Sequence, residues 1–211
     1  MPHIVPVVEG PGDLLATPIL LRKILYDQCN RFDIGVGRPK KANGKGNLTR
    51  DLERFLKYAA LHPDCAGILV LIDSDNDCPV ELAQDYCARA RQTGLSVPIV
   101  VVCAVREYEA WLIASLDSIK DNPRGGSPII SAEASYSGDV ESMSDAKDWL
   151  GDQMPSGRAY RETTDQASLT NLIDISLAAS NSRSFVRLCH AVDEMVAAID
   201  SGTAMITPFP G

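Results

Sequence analysis

Apolar residues fall into two kinds of run along this chain. His3 to Val8, Gly67 to Ile72 and Val97 to Val105 have the length of strands, and the last two are rich in branched residues and apolar throughout, as strands covered on both faces are. A weaker strand is expected at Phe32 to Val36. Between these, apolar positions recur at helical spacing: Ile19, Leu20, Ile24 and Leu25, then Leu48, Leu52, Phe55, Leu56 and Ala59, then a stretch opened by Pro79 that ends at Gly94 as C-cap. The first helix follows the turn GPGD, and Thr17 with Pro18 offers a second opening as N-cap and N1. Strands alternating with helices predict an α/β fold: a parallel sheet of about four strands with helices on both faces.

After about Leu116 the pattern changes. Residues 117 to 143 are rich in Asp, Ser, Pro and Gly and read as a long surface excursion, whereas 144 to 200 carry helical patterns without a convincing strand. Phe185, Leu188, Cys189, Val192, Met195, Val196 and Ile199 keep helical spacing behind Ser182 and Ser184, either of which can cap. The expected organisation is an α/β core over 1 to 116 and, over 117 to 211, the excursion and a C-terminal helical lobe packed on that core, with no internal repeat.

The chain has 211 residues, 45% hydrophobic and 23% charged, enough for one sizeable core and unlike a disordered, collagenous or disulfide-framed chain. Its apolar runs are too short to cross a bilayer, and MPHIVPVVEG carries no signal or transit pattern, so a cytoplasmic protein is expected. The six cysteines, Cys29, Cys65, Cys78, Cys87, Cys103 and Cys189, form no CxxC pair and are expected to be buried thiols rather than zinc ligands. A net charge of -8 argues against coating nucleic acid by bulk electrostatics. The average hides an asymmetry, because from Arg31 to His62 eight basic residues face three acids. A basic stretch beside an acidic centre suits a metal-dependent enzyme acting on a polyanion, although a solvated helix face is the commoner reason for such a cluster.

In an open parallel sheet the ligand site lies beyond the carboxyl ends of the strands. Three strand ends here carry acids: Glu9 after the first, Asp73, Asp75 and Asp77 after the third, and Glu107 with Glu109 after the fourth. Gathered carboxylates raise one another's pKa unless a cation lies among them, and oxygen-only ligands select hard ions such as Mg²⁺ or Mn²⁺. Helix capping is the alternative role for these acids, most of all for Asp77. An EF-hand starting at Asp73 fails, since its sixth and twelfth positions hold Cys78 and Gln84. A Walker loop around Gly44 and Lys45 fails at Pro39 and Gly46. The strand-terminal DxD also resembles the nucleophile motif of haloacid-dehalogenase-type phosphatases, but lies late in the core and has Asp77 where that family carries threonine or valine. No GxSxG elbow exists, and of His3, His62 and His190 the last lies inside an amphipathic helix, which leaves acid or base work to Glu9 or to water on a metal.

A strand-terminal Glu9-Gly10 followed by an apolar strand ending in Asp73-x-Asp75 resembles the Toprim domain of topoisomerases, primases and overcoming-lysogenization-defect-type nucleases. VEGPGD, VLIDSDNDCP, REYEAWLIAS and SNSRSFVRL, taken in order, resemble a bacterial family of unknown function with a Toprim-like core. The resemblance implies a Toprim-like (Rossmannoid) sheet, with Glu9 at the Toprim glutamate and Asp73 and Asp75 as the metal-binding pair. These three are the implied catalytic residues. Asp77 extends the motif, and Glu107 or Glu109 supplies an extra acid for a second ion. Trp111 and Phe185 are expected to anchor the helical lobe rather than stack on a base. Lys40, Lys41, Lys45 and Arg183 are candidate phosphate contacts, with solvent exposure as the alternative.

The implied activity is Mg²⁺- or Mn²⁺-dependent hydrolysis of a nucleic-acid phosphodiester, DNA or RNA, with one ion activating water and a second stabilising the leaving oxygen. Without a tyrosine-nucleophile domain a topoisomerase cycle is not expected. Small Toprim proteins of this kind are often encoded beside an ATPase, which implies a defence effector, for example against phage, working with an ATPase partner. The rivals are a non-catalytic subunit that docks to its partner and a small-molecule phosphohydrolase.

Overall fold

The computed structural model describes residues 1–120, 129–155 and 158–207. The chain enters through β1 (His3–Val8) and turns at Glu9-Gly10 into α1 (Pro11–Lys23). That helix starts at Pro11, so Pro18 lies inside it, and it widens at its end into a turn over Ile24–Gln28 in which the Cys29 amide donates to the Ile24 carbonyl. Two short strands follow, β2 (Gly35–Val36) and β3 (Lys40–Lys41), then α2 (Lys45–Arg50) and α3 (Leu52–Ala60). Next come β4 (Cys65–Asp73), α4 (Pro79–Gln92), β5 (Ile99–Ala104), α5 (Glu109–Ala114) and α6 (Leu116–Lys120). The rest is α7 (Ala146–Asp152), α8 (Ala167–Thr170), α9 (Ile175–Asn181), α10 (Arg183–Ser201) and β6 (Ile206–Thr207).

Every strand pair is parallel, in the order β2-β1-β4-β5-β6, with β3 also pairing β1. Among the described residues the sheet therefore has six strands rather than about four. The surplus is β3 and β6, two residues each, too short to leave a periodic trace in the sequence. The expected strand at 32–36 shrinks to Gly35–Val36.

The long apolar runs resolve into two alternating faces, as a period of two requires. Ile4, Val8, Leu69, Leu71, Val100 and Val102 join the core beneath α1, α5 and α10. Val5, Val7, Ile68, Val70, Ile72, Val101 and Cys103 join a second core with Leu48, with Leu52, Leu56 and Ala59 of α3, and with Ala83, Tyr86 and Cys87 of α4. No helix among the described residues is long and apolar enough to cross a membrane.

Residues beyond 116 share the first of these cores: Ile130, Val140, Leu150, Leu169 and Phe185 are buried with the sheet residues just named. Residues 121–128 of the predicted excursion lie outside the described residues, but Ile129, Ile130 and Ala134 within it are buried. α10 lies on β5 and β4, so closely that a Cβ on Gly67 would stand 2.8 Å from Met195 Sδ. It opens where Ser182 Oγ accepts from the Phe185 amide and closes at Gly202, whose φ of 64° a glycine adopts without strain. Trp111 is fully buried, edge-on to Phe185 at 5.6 Å, and donates from Nε1 to Ser184 Oγ at 2.8 Å. Both aromatics are packing anchors; truncating either costs roughly 3–5 kcal/mol. Of the cysteines, Cys87, Cys103 and Cys189 are buried, Cys29 and Cys65 are half-buried, and Cys78, at the loop end of the acidic motif, is exposed.

Candidate acidic site at the carboxyl end of the sheet

β1 delivers Glu9 and β4 delivers Asp73 to the same end of neighbouring strands, and Glu9 Oε1 accepts from the Asp73 amide at 2.7 Å. Asp13 joins them from the first turn of α1, where its Oδ2 accepts from the Gly10 amide at 3.0 Å, the one half of a capping box that a glycine N-cap allows. The β4 and β5 loops are tied together: Ser74 Oγ accepts from the Arg106 amide and the Asp75 amide donates to the Arg106 carbonyl. Asp75 and Arg106 both take up positive φ, 50° and 61°, in this crossing. It brings the Tyr108 amide to Asp73 Oδ1 at 2.9 Å and starts α5 so that Glu109 faces inward.

Glu109 is fully buried; its Oε1 accepts from Tyr160 at 2.8 Å and its Oε2 has no partner among the described residues. Glu107 turns elsewhere, its Oε2 accepting from the Lys147 amide at the start of α7. Of the two acids, Glu109 is therefore the inward one. Asp75 and Asp77 are more than half exposed, and Lys45 Nζ spans them at 3.0 and 2.9 Å while donating to the Ser74 carbonyl at 2.8 Å. Lys45 thus offsets one of the two charges on the outer half of the acidic motif. Arg183 is engaged by Glu141 at 3.1 Å and Asp139 at 3.5 Å near the start of α10. Lys40 and Lys41 lie on β3 beside β1.

The inner half resists taking up negative charge. Burial pushes Glu9 up to about 7, and the neighbouring charges of Asp13 and Asp75 add to this against the relief from the Asp73 amide. Asp73 is raised well above the ordinary range by burial, then by Asp13, Glu109 and Glu9. Burial likewise pushes Glu109 up to about 7, although Lys147 and the Tyr160 hydroxyl work the other way. Lys147 is held in its charged form by Glu109 and Glu162 despite its own burial.

Asp13, Lys147 and Tyr160 were not among the residues expected here. Asp13 was legible in EGPGD, four places after Glu9, as an acid in a first helical turn. Lys147 and Tyr160 reach the site from distant sequence and carry no local signal. Gln166 closes the same side by donating to Asp13 Oδ1, and its Oε1 lies 1.8 Å from where a Cβ on Gly12 would stand, so a larger residue at that position would displace Gln166.

The donor set is all oxygen and suits a hard divalent cation, and the orphaned, buried Glu109 Oε2 is what such an ion would satisfy. As the side chains stand, no group of three His, Cys, Asp or Glu residues among those described is gathered tightly enough to hold an ion. Asp75 in particular is turned to Lys45, and closing a site around Glu9 and Asp73 requires it to swing inward.

Fold and site together define a parallel α/β protein with buried acids at the strand ends. The chain belongs to the family described as Domain of unknown function (DUF4276), whose model matches residues 8–193, a span containing all of these acids. No curated protein and no solved structure matches it.

Proposed function

We propose that this chain is a phosphodiesterase with a Toprim-like core, hydrolysing nucleic acid with Mg²⁺ or Mn²⁺. The observation that carries the reading is the pairing of acids from neighbouring strands, Glu9 accepting from the Asp73 amide, with Asp13, Asp75 and Glu109 adding charge around them. So many half-buried and buried carboxylates are costly unless a cation shares their charge. Glu9, Asp73 and Asp75 would hold the ion, with Asp77 beside them and Glu109 as the further acid for a second one. When bound, it would supply Lewis acidity toward water and phosphate. Without an ion Glu9 is raised to about 7; a cation beside it would lower this and keep Glu9 as the carboxylate facing an attacking water. The Tyr108 amide fixes the orientation of Asp73, and Lys45, once released from Asp75 and Asp77, is placed to meet a phosphate oxygen. A partner ATPase and a role in defence belong to the same proposal and rest on the sequence resemblance alone.

The test is incubation of the purified chain with Mg²⁺ or Mn²⁺ and plasmid DNA or transfer RNA, alongside Asp73→Ala. Cutting by the wild type that the variant has lost supports the proposal. Phosphate released from a small monoester, with polynucleotides uncut, would replace it with a small-molecule phosphohydrolase. A second reading, a non-catalytic docking subunit, is favoured by Lys45, which already pairs with Asp75 and Asp77. Intact biological activity in Asp73→Ala would make it the better one.

A further inference from the structure

The basic stretch between residues 31 and 62 divides in two. Arg31, Lys45 and Arg50 are spent on acids: Asp33 and Asp200, Asp75 and Asp77, and Asp51. Arg38, Lys40, Lys41, Arg54 and Lys57 form no ion pair among the described residues. Arg54, Lys57 and Tyr58 stand together on the outer face of α3, opposite the buried Leu52, Leu56 and Ala59. Tyr58 is 56% exposed, and Lys40 Nζ reaches over its ring at 4.2 Å from the centroid. Arg54 lies over the Phe55 ring at 5.8 Å.

This face leads into the acidic site. Lys40 and Lys41 pair in register with Val7 and Val8, the two residues before Glu9. The chain then follows the end of β1, with the Gly44 amide donating to the Glu9 carbonyl at 3.0 Å, and arrives at Lys45 on Asp75. Unpaired cations interleaved with an exposed aromatic, continuous with a strand end carrying acids, are what a flexible polyanion with stackable groups would use. A duplex offers the same phosphates but keeps its base faces stacked inside, out of reach of Tyr58.

We infer that the face formed by β3 and the outer side of α3 is a track for single-stranded nucleic acid, with Tyr58 stacking on a base and Arg38, Lys40, Arg54 and Lys57 following the phosphates toward the acidic site. The inference rests on the phosphodiesterase reading for its direction of travel, but binding is measurable without catalysis. The experiment is fluorescence anisotropy of the full chain in EDTA with labelled oligo-dT, oligo-U and a hairpin duplex of equal length. Both unpaired strands should bind more tightly than the duplex. Tyr58→Ala should weaken that binding about tenfold and Tyr58→Phe should restore it. Replacing Lys40 and Lys57 together by Ala should reduce the slope of log affinity against log salt by about 1.4.

Equal affinity for the duplex, or no effect of Tyr58→Ala, would overturn the inference. The two readings fail separately. A wild type that binds unpaired strands but cuts nothing with Mg²⁺ or Mn²⁺ removes the catalytic reading and leaves the track. A wild type that cuts plasmid DNA but does not bind the oligonucleotides removes the track and leaves the catalysis.

Discussion

Two neighbouring regions of this molecule handle charge in opposite ways. At the ends of β1 and β4 and the start of α5, acids are drawn inward until one carboxylate oxygen of Glu109 has no partner among the described residues. On β3 and the outer side of α3, cations are left outward without an ion pair among the described residues, Arg54 and Lys57 acting on Asp51 and Glu53 only at longer range. The first arrangement fixes geometry through backbone donors, the Asp73 amide on Glu9 and the Tyr108 amide on Asp73, and stores unfavourable electrostatics. The second stores almost none, since exposed cations are solvated and their long stems stay adaptable. Stored charge at a rigid strand end suits chemistry or a bound ion; adaptable charge on a helix suits holding a flexible polyanion.

The comparison breaks most sharply at Asp73. Asp73→Ala should abolish divalent-cation binding and cutting, while Lys57→Ala should leave cation binding unchanged; paired calorimetry and gel assays check both.

The next largest effect is on stability against pH. Glu9 and Glu109 are raised from 4.5 to about 7, so the folded chain binds their protons more tightly than the unfolded one does. The stability they contribute is complete below about pH 4.5 and is lost as pH rises through about 7. For fully buried Glu109 this amounts to about 3 kcal/mol. Thermal melts without divalent ions should therefore fall between pH 5 and 8, and Glu109→Gln should flatten that fall. A melt independent of pH over this range would remove the stored charge from the account.

Tyr160→Phe takes away the hydroxyl donating to Glu109 and should cost about 1–3 kcal/mol at pH 8, less at pH 5 where Glu109 is protonated. Urea titration at the two pH values measures the difference.

The smallest effect lies where α3 meets α4. Arg89 grips Glu53 at 2.7 and 2.8 Å and holds it down at about 2, so this pair adds stability above about pH 4.5 that disappears as pH falls toward 2. Glu53 is partly exposed, and Glu53→Gln should cost no more than about 1 kcal/mol at neutral pH. The sign is opposite to that of the acidic site, and acid melts of this variant read it directly.

Where the sequence was informative, one physical reason accounts for it. β4 and β5 must bury both faces, so their runs are apolar end to end, and the acids that stop them abruptly, Asp73 and Glu107 with Glu109, stand out by contrast. β3 and β6 take their place from pairing with longer neighbours, which no local pattern of two residues can announce. Glu107 and Glu109 were indistinguishable as letters. Only the crossing of the Ser74 and Arg106 loops, with both Asp75 and Arg106 at positive φ, decides which one faces in. Tyr160 and Lys147 come to the site through the packing of 140–170 on the core, a tertiary fact. Lys45 was read as a phosphate contact, yet its partners here are Asp75 and Asp77, because an ammonium group finds the nearest uncompensated carboxylates.

The most direct test of the stored acidic charge is a calorimetric titration of Mn²⁺ into the wild type and Asp73→Asn near neutral pH. Asparagine keeps the shape and the hydrogen bond from Tyr108 while removing the charge. The account predicts saturable binding in the wild type that is lost in the variant, with Lys45 displaced from Asp75 as the ion enters. Heats no larger than dilution in the wild type, or the same isotherm in both proteins, would contradict it.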